Sequence, residues 1–526
     1  MAVSKAESYY RVSLKRETPA FIHEELCWPE FSTGSPCVGA CPLQMDIPNY
    51  VMAIADGNPT KALSIIRESN PLPSVCGRVC HHPCEEVCNR KVVDNAVAIE
   101  WLKRYAVDCG EEDAPSPVPV TKEDKVAIIG AGPAGLTAAA DLVQKGYRAD
   151  IFEASSEPGG MLTSCIPDFI LPKEAVHRDV EYLKGLGVRI HTGVRIGSTM
   201  SIESLREQGF KAVLVTVGAQ KGVPLNVPGA DLQGVSIGLP LLMDAKQGRM
   251  SPLSGKLWII GGGGVALDVA RTAVRNGVKE VHLACLESRA DMPAFDWEIG
   301  DTEKEGIHIH PSLSPQEFTS KNGAKVNGIT FKRVSSTWTD SDGVYHWSLM
   351  EGQGGDYSVE ADSVVVAVGQ MTDPGKLVEN LLDTNEKGAI VVNQLTGQSS
   401  VAGIFAAGDI ANTGRTVTDA MAAGRRAALS IDQFLSGEPI VPKDDNVESI
   451  MIKEEQVPVY MPRKERWAMP KLLPGQAVRT SAEVDLGYVG WQAAEEAARC
   501  LNCRMCAHCI FDRGQLCQDT GQRLLK

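Results

Sequence analysis

The chain runs to 526 residues, 43% of them apolar, with a formal net charge of -14. That length accommodates roughly three to four domains and more than one substantial core. The acidic balance argues against nucleic acid, which demands concentrated Lys and Arg, and no run of about eighteen apolar residues suggests a membrane span.

The chain opens without the apolar stretch of a signal peptide, so a cytoplasmic location and reduced cysteines are expected. The first ninety residues hold Cys27, Cys37, Cys41, Cys76, Cys80, Cys84 and Cys88, within a domain expected to span 1–110. Helical patterning around Ile47–Ile66 and Val92–Tyr105 predicts a helical domain to carry them. The C-x3-C-P at 37–42 and the C-x3-C-x3-C-x3-C at 76–88 supply six soft thiolates, with Cys27 a further candidate. A structural zinc needs four and favours separated pairs, so iron–sulfur clusters fit better. Residues 111–124, acidic and proline-rich, read as a linker.

Lys125–Ala154 then reads as strand, glycine turn, helix and strand. Gly130 allows the tight turn, Gly132 lets backbone approach a pyrophosphate, and Gly135 permits close helix–strand packing, with Pro133 inside the motif. Glu153 ends the second strand, 21 residues after Gly132, where a carboxylate accepts from adenosine ribose hydroxyls. Gly160 and Met161 follow and bring backbone against the cofactor. Far downstream, Gly408 and Asp409 close the strand-like 401–410, and a helix is predicted over 416–435. Asp409 is expected to hold a ribityl or phosphate-side hydroxyl, and Thr416 and Val417 to aim N–H groups at a flavin's electron-rich edge. An NAD-only domain would not require this distant piece, so the expected cofactor is FAD.

A second βαβ pattern spans residues 256–287. Gly261, Gly263 and Ala266 form GxGxxA, and Glu287 stands at the tip of the next strand. A carboxylate there accepts from a free ribose 2′-hydroxyl and repels a 2′-phosphate, which favours NAD(H) over NADP(H), with Arg289 close enough to complicate the preference. Gly369, in the turn after the strand-like 362–370, is a further NAD contact.

Cys500, Cys503, Cys506, Cys509 and Cys517 close the chain. Their C-x2-C-x2-C-x2-C run is near a ferredoxin pattern, so four of the five are expected to hold a [4Fe–4S] cluster. The assignment is Cys500, Cys503, Cys506 and either Cys509 or Cys517, with zinc the alternative. A flavin takes a hydride and releases electrons singly, which gives one-electron clusters a purpose beside it. Cys165 and Cys285 stand alone in the middle, and no CxxC lies near the flavin motif, against a disulfide reductase. His81 and His82, between cluster cysteines, are open to a ligand or a structural role.

These motifs together resemble the small-subunit family of NAD(P)H-dependent glutamate synthase, relatives of which include the N-terminal half of dihydropyrimidine dehydrogenase. The matching segments are 36–51, 70–88, 126–136, 159–174, 259–272, 287–294, 366–370 and 404–409. The resemblance implies an α/β chain: a helical [4Fe–4S] domain over 1–110, then two Rossmann-like domains. An FAD domain at 125–240 and 371–437 would be interrupted by an NAD(H) domain at 241–370, with 438–526 an extended segment and cysteine-rich tail. It implies that Cys41, Cys76, Cys80 and Cys84 hold one cluster and that Cys37 and Cys88 contribute to another, with the division of the four cysteines at 76–88 left open. It also places Pro167, Asp168 and Lys173 near the flavin.

The family's RCLxC, usual just before PCxxxCP, is missing there and occurs instead as EEAARCLNC at 495–503. The tail then either folds back to complete the second cluster or carries its own, or that cluster uses Cys27 with a non-cysteine ligand or is absent. Leu286-Glu287 stands where NADPH-using relatives carry paired arginines, again favouring NADH. The expected function is an NADH-dependent FAD/iron–sulfur oxidoreductase subunit with two to three [4Fe–4S] clusters, exchanging electrons with a partner subunit of a larger complex or a ferredoxin-like carrier. No catalytic acid or base is required. The alternatives are a true glutamate synthase small subunit and a flavin-dependent disulfide reductase.

Overall fold

The computed structural model describes residues 34–503, apart from 252, 254, 341–343, 352–354, 378–380, 413–415, 444–448, 450 and 458–460. The chain divides into two compact units. The first unites the chain up to Ala114 with Lys443–Pro470 and the chain from Gly487, and the second unites Pro115–Pro442 with Lys471–Leu486. The described residues between 438 and 503 are therefore shared between the two units.

The first unit is built from short helices: α1 Pro36–Ala40, α2 Ile47–Ala55, α3 Pro59–Arg67, α4 Pro73–Val79, α5 Pro83–Glu86 and α6 Ile99–Cys109. Proline sits in the first or second position of each of the first five. Its missing N–H costs nothing there and its fixed φ suits a helix start. The pattern read as continuous over Ile47–Ile66 is broken because Gly57 takes φ +74 and the Asn58 side chain caps α3 by accepting from Lys61 N. Over Val92–Tyr105 the α-helix begins only at Ile99, after a 3-10 turn at Asn89–Val92. α4 and α6 approach closely at Gly77, where a Cβ would stand 2.9 Å from Arg104 Cα.

The second unit holds two all-parallel five-stranded sheets. One runs β16-β4-β1-β2-β3, with β1 Lys125–Ile129, β2 Arg148–Phe152, β3 Arg189–His191, β4 Phe210–Val215 and β16 Ile404–Ala406. The other runs β6-β14-β7-β8-β9, with β6 Val235–Ile237, β7 Lys256–Ile260, β8 Glu280–Ala284, β9 His308–His310 and β14 Ser363–Val366. Their central strands are near-continuous apolar runs because both faces are covered, in the second sheet by helices on one side and by residues of β10 (Leu313–Thr319) and β11 (Gly328–Thr339) on the other. β6 brings the second sheet's start to Val235, before the boundary set at 241. An antiparallel sheet of β10 Leu313–Thr319, β11 Gly328–Thr339, β12 Tyr345–Leu349 and β13 Asp356–Glu360 is inserted before β14. β5 Lys221–Gly222 pairs with β15 Gln370–Met371. The helices that matter below are α7 Pro133–Gln144, α8 Gly238–Lys246, α9 Gly264–Arg275, α10 Asp296–Lys304 and α11 Val417–Leu435. Among the described residues no helix is long and apolar enough to cross a membrane.

Candidate cofactor sites

β1 and β2 end in register, Ile129 opposite Phe152, so the turn after β1 and the acid after β2 meet. Gly130 adopts φ +107, and a Cβ there would stand 2.6 Å from Thr216 O. Gly132 caps α7, Pro133 opens it, and space for a Cβ on Gly132 is open. A Cβ on Gly135 would strike Gly130 O at 2.1 Å, which is why helix and strand pack so closely. Gly160, at φ +56, would press its own Cβ to 3.0 Å from Gly132 Cα, so two stretches of bare backbone face each other where a pyrophosphate would lie. Met161 packs against the core of the second sheet. Glu153 is buried, and its carboxylate accepts from Ala131 N and Ser155 N, both at 2.8 Å. Each oxygen keeps a further lone pair for a ribose hydroxyl.

The distant piece comes to the same place. Gly408, at φ +80, would set a Cβ 3.3 Å from Ala134 Cβ, and a Cβ on Gly424 of α11 would strike Ala134 O at 2.1 Å. Burial, and then Asp419, push the Asp409 carboxyl up to about 6. Thr416 caps α11, accepting from Asp419 N and donating to Asp419 Oδ2 at 2.7 Å, with Val417 the first helical residue. Open backbone at Gly132 and Gly160, an acid at Asp409 and the start of α11 thus fit an extended dinucleotide such as FAD.

At the second turn Gly261 takes φ +137, with a Cβ position 2.2 Å from Ala367 O, while Gly263 caps α9 with open space before it and Ala266 is buried. The Glu287 carboxylate leans on the turn, Oε2 lying 3.2 Å from the Cβ position of Gly262. Arg289 is turned away to Glu303 (3.2 and 3.3 Å) and Asp296 (3.8 Å). Gly369, at φ +138, accepts from Val223 N where β15 meets β5. The carboxylate of Glu287 thus stands against the turn, and the Arg289 guanidinium is held by other acids.

A clasp between the sheets escaped the sequence reading. The Phe169 ring lies under the guanidinium groups of Arg275 (3.7 Å) and Arg271 (4.9 Å), both of which grip Glu305. Phe169 also packs on Ala477 and Val484, whose N–H donates to Phe169 O. Lys246, at the end of α8, donates to Ile166 O and Asp168 Oδ1, each at 2.6 Å. Asp168 and Lys173 line an open cleft with Ser481 and Glu483, and Pro167 starts the turn that carries Phe169. Nearby, burial, and then Glu298, push Asp268 on α9 up to about 8.

In the first unit no described cysteine is in a disulfide; Cys109 is exposed, and the other eight fall into two sets. Cys37, Cys88, Cys500 and Cys503 line one cavity, walled by Pro36, Ile47, Val51 and Val97. Cys41, Cys80 and Cys84 bear on one another electrostatically, and the Lys103 ammonium lies among Cys80, Cys76 and Cys84. The Tyr50 hydroxyl, fully buried and donating to Ile99 O, stands among thiols of both sets. Burial pushes Cys500 up to about 12 and both Cys80 and Cys503 to about 11, so these groups stay protonated until a metal displaces their protons. Among the described residues no three His, Cys, Asp or Glu side chains close round a single ion. A [4Fe–4S] cluster takes thiolate ligands, and two all-thiol sets would suit that donor chemistry. His82 is turned to Glu100 (2.9 Å) and Cys80 O (3.0 Å), a structural position. Cys27, Cys506, Cys509 and Cys517 lie outside the described residues.

Cys500 and Cys503 reach this cavity through buried ion pairs. Arg499 donates to Asp94 (2.8 Å), Glu496 (2.5 Å) and Asn95 O (2.5 Å). Arg90 grips Asp94 as well and donates to Arg499 O at 3.1 Å. Glu496 accepts from Ala98 N and Trp467 N, both at 2.9 Å. The pairs Arg499–Glu496 and Arg90–Asp94 are local, but no spacing rule in the sequence marks Arg499 and Asp94 as partners, which lie 405 residues apart.

A family model described as pyridine nucleotide-disulphide oxidoreductase matches residues 124–424, and one described as dihydropyrimidine dehydrogenase domain II, 4Fe-4S cluster, matches residues 29–114. The chain is 36% identical over 505 residues to the NADP(+)-dependent formate dehydrogenase subunit beta of Moorella thermoacetica, covering 89% of this chain and 70% of that one. It is 34% identical over 511 residues to the NADPH-Fe(3+) oxidoreductase subunit beta of Geobacter sulfurreducens, covering 89% and 75%. The glutamate synthase [NADPH] small chain of Azospirillum brasilense is 29% identical over 459 residues, with 83% and 93% covered. Mycobacterium tuberculosis FprA in complex with NADPH shares the fold, with a TM-score of 0.51 at 18% identity over 60% of this chain and 85% of that one.

Fold and turns together define a nucleotide-dependent flavin oxidoreductase that also carries a 4Fe–4S domain. The chain belongs to the pyridine nucleotide-disulphide oxidoreductase family, in the branch that includes the glutamate synthase small chain and FAD/iron–sulfur oxidoreductase subunits.

Proposed function

We propose that the chain is an NADH-specific electron-transfer subunit with one FAD and two [4Fe–4S] clusters, serving a partner redox subunit. One cluster is assigned to Cys41, Cys76, Cys80 and Cys84, and the other to Cys37, Cys88, Cys500 and Cys503. The observation that carries the assignment is the cavity lined by the last four. It supports the reading in which the tail folds back, over an independent cluster on Cys500, Cys503, Cys506 and Cys509 or Cys517. Bound FAD and clusters together supply the conversion of a two-electron hydride donor into single electrons.

The residues themselves bind and orient. Gly130, Gly132, Gly135 and Gly160 clear room for the FAD pyrophosphate, Glu153 receives its ribose, and Asp409 with the start of α11 holds the flavin end. Gly261, Gly263 and Ala266 shape the nicotinamide dinucleotide turn. Glu287 accepts the 2′-hydroxyl, while Arg289, engaged by Glu303, is withheld from a 2′-phosphate. This departs from the formate dehydrogenase and iron(III) oxidoreductase relatives, whose names carry NADP(+) and NADPH. Several relatives are named as subunits, which supports a protein partner as electron acceptor or donor.

Anaerobic titration of the holoprotein with NADH and, separately, NADPH tests the reading. Flavin bleaching and two low-temperature EPR signals with NADH are expected, together with iron and sulfide for two clusters. A selective response to NADPH would sink the nucleotide assignment, and iron for a single cluster would sink the ligand sets.

A further inference from the structure

We propose that the stacked rings of Phe295 and Trp297 seat the adenine of the nicotinamide dinucleotide, a purine platform beside the second glycine turn. The inference rests on the NADH reading above and adds the place of the base.

The two rings stand parallel, 4.4 Å between centroids and 5° between planes, and remain 36% and 41% exposed. They flank Asp296, the first residue of α10. The chain leading to them is anchored in the core, where Met292 and Ala294 are buried with Ile259 of β7 and Ala266 of α9. Phe295 N donates to Glu298 Oε2 at 3.2 Å, which fixes the first turn of α10. That oxygen also lies 3.9 Å from the Cβ position of Gly264, where α9 opens. The backbone that carries the pair is therefore held beside the nucleotide turn.

Two contacts place it at the adenosine end. Gly262 O accepts from Ala294 N at 3.1 Å, while a Cβ on Gly262 would stand 3.2 Å from Glu287 Oε2. One residue of the turn thus meets both the proposed ribose acceptor and the residue that precedes Phe295. Asp296, between the two aromatic residues in sequence, lies 3.8 Å from Arg289, which is two positions beyond Glu287.

A purine binds by its flat faces, which an aromatic ring or an arginine plane can cover. Glu303 holds the Arg289 guanidinium at 3.2 and 3.3 Å, so the flat surface at this end is left to the aromatic pair. Parallel rings of few rotamers present such a face ready-made. Stacking also asks for no positive charge where Glu287, Asp296 and Glu303 are all acids, and the pyrophosphate is met separately at the start of α9.

Stopped-flow flavin reduction of the full-length holoprotein tests the seat, with NADH and with reduced nicotinamide mononucleotide, which carries the same hydride but no adenosine. Phe295→Ala/Trp297→Ala should weaken the apparent Kd for NADH about tenfold and leave the limiting rate unchanged. Its second-order rate with the mononucleotide should equal wild type, and inhibition by 5′-AMP should weaken by the same factor as NADH binding. Trp297→Phe, which keeps a flat ring, should stay near wild type. Unchanged NADH binding and AMP inhibition in the alanine pair, or an equal loss with the mononucleotide, would overturn the proposal. Should that variant fail to retain FAD, Phe295→Leu/Trp297→Leu, apolar bulk without a flat face, is measured against the same expectations. A wild type that responds to NADPH alone brings down the NADH assignment instead, and the same variants titrated with NADPH still decide the seat of the base.

Discussion

The Arg499 guanidinium meets the Asp94 carboxylate at 2.8 Å, joining residues 405 positions apart in the chain. Asp94 is shared with Arg90 at 2.5 Å, and Glu496 takes the other side of Arg499. This buried four-residue network brings Cys500 and Cys503 to Cys37 and Cys88.

Replacing Arg499 with Met strands Glu496 and Asp94 without that partner, and breaking a buried pair in this way costs about 3–5 kcal/mol. Iron analysis and EPR on the purified variant should show one cluster lost and the flavin spectrum retained. Two intact clusters would mean that the tail holds its place without the network.

Removing the Glu287 carboxylate deletes a charged hydrogen-bond acceptor for the ribose. A bond of that kind contributes about 1.5–3 kcal/mol, so Glu287→Ala should lower kcat/KM for NADH by about tenfold to a hundredfold. The NADPH value should hold or rise in stopped-flow flavin reduction. Arg289→Ala should change NADH kinetics little, because Glu303 already occupies that guanidinium.

Phe169→Ala removes a buried ring from beneath two guanidinium groups and from the contact with Ala477 and Val484. A loss of about 3–5 kcal/mol is expected from the cavity. Urea unfolding measures it directly, and slower hydride transfer at unchanged nucleotide affinity would identify the clasp as a positioning device for the second sheet. Stability equal to wild type would show that the clasp contributes little.

Asp432 on α11 accepts from Lys122, Lys145 and Tyr147. Burial raises its pKa, but the two ammonium groups and the phenol outweigh it and draw the carboxyl down to about 2. A depressed carboxyl stabilises the fold above its unfolded pKa, near 3.9, and that contribution fades as pH falls through about 2. The Tm difference between wild type and Asp432→Asn should therefore be full at pH 6 and shrink steadily between pH 4 and pH 2. A difference that is flat across that range would rule out the linkage.

The glycine turns were legible because their requirement is local. Gly130 and Gly261 each directly follow a strand and take positive φ, a conformation that favours glycine. The soft-ligand chemistry of the cysteines was legible for the same reason, since spacing and residue type carry it. Helix limits were less so: Gly57 and Asn58 interrupt a pattern whose apolar period continues across them. Lys103 reads in the sequence as an ordinary polar position on a helix, and only packing of α6 against α4 reveals it as buried beside thiols.

By itself the sequence determined that two glycine turns after strands, an acid at the end of the strand that follows each and cysteines of metal-binding spacing occur in one chain. Each of those depends on backbone conformation and side-chain chemistry within a short window. Which cysteines share a cavity and where Arg289 points were decided by tertiary structure. The reason is electrostatic: buried ions settle only where partners satisfy them, and Arg499 meets Asp94 only once the chain has folded.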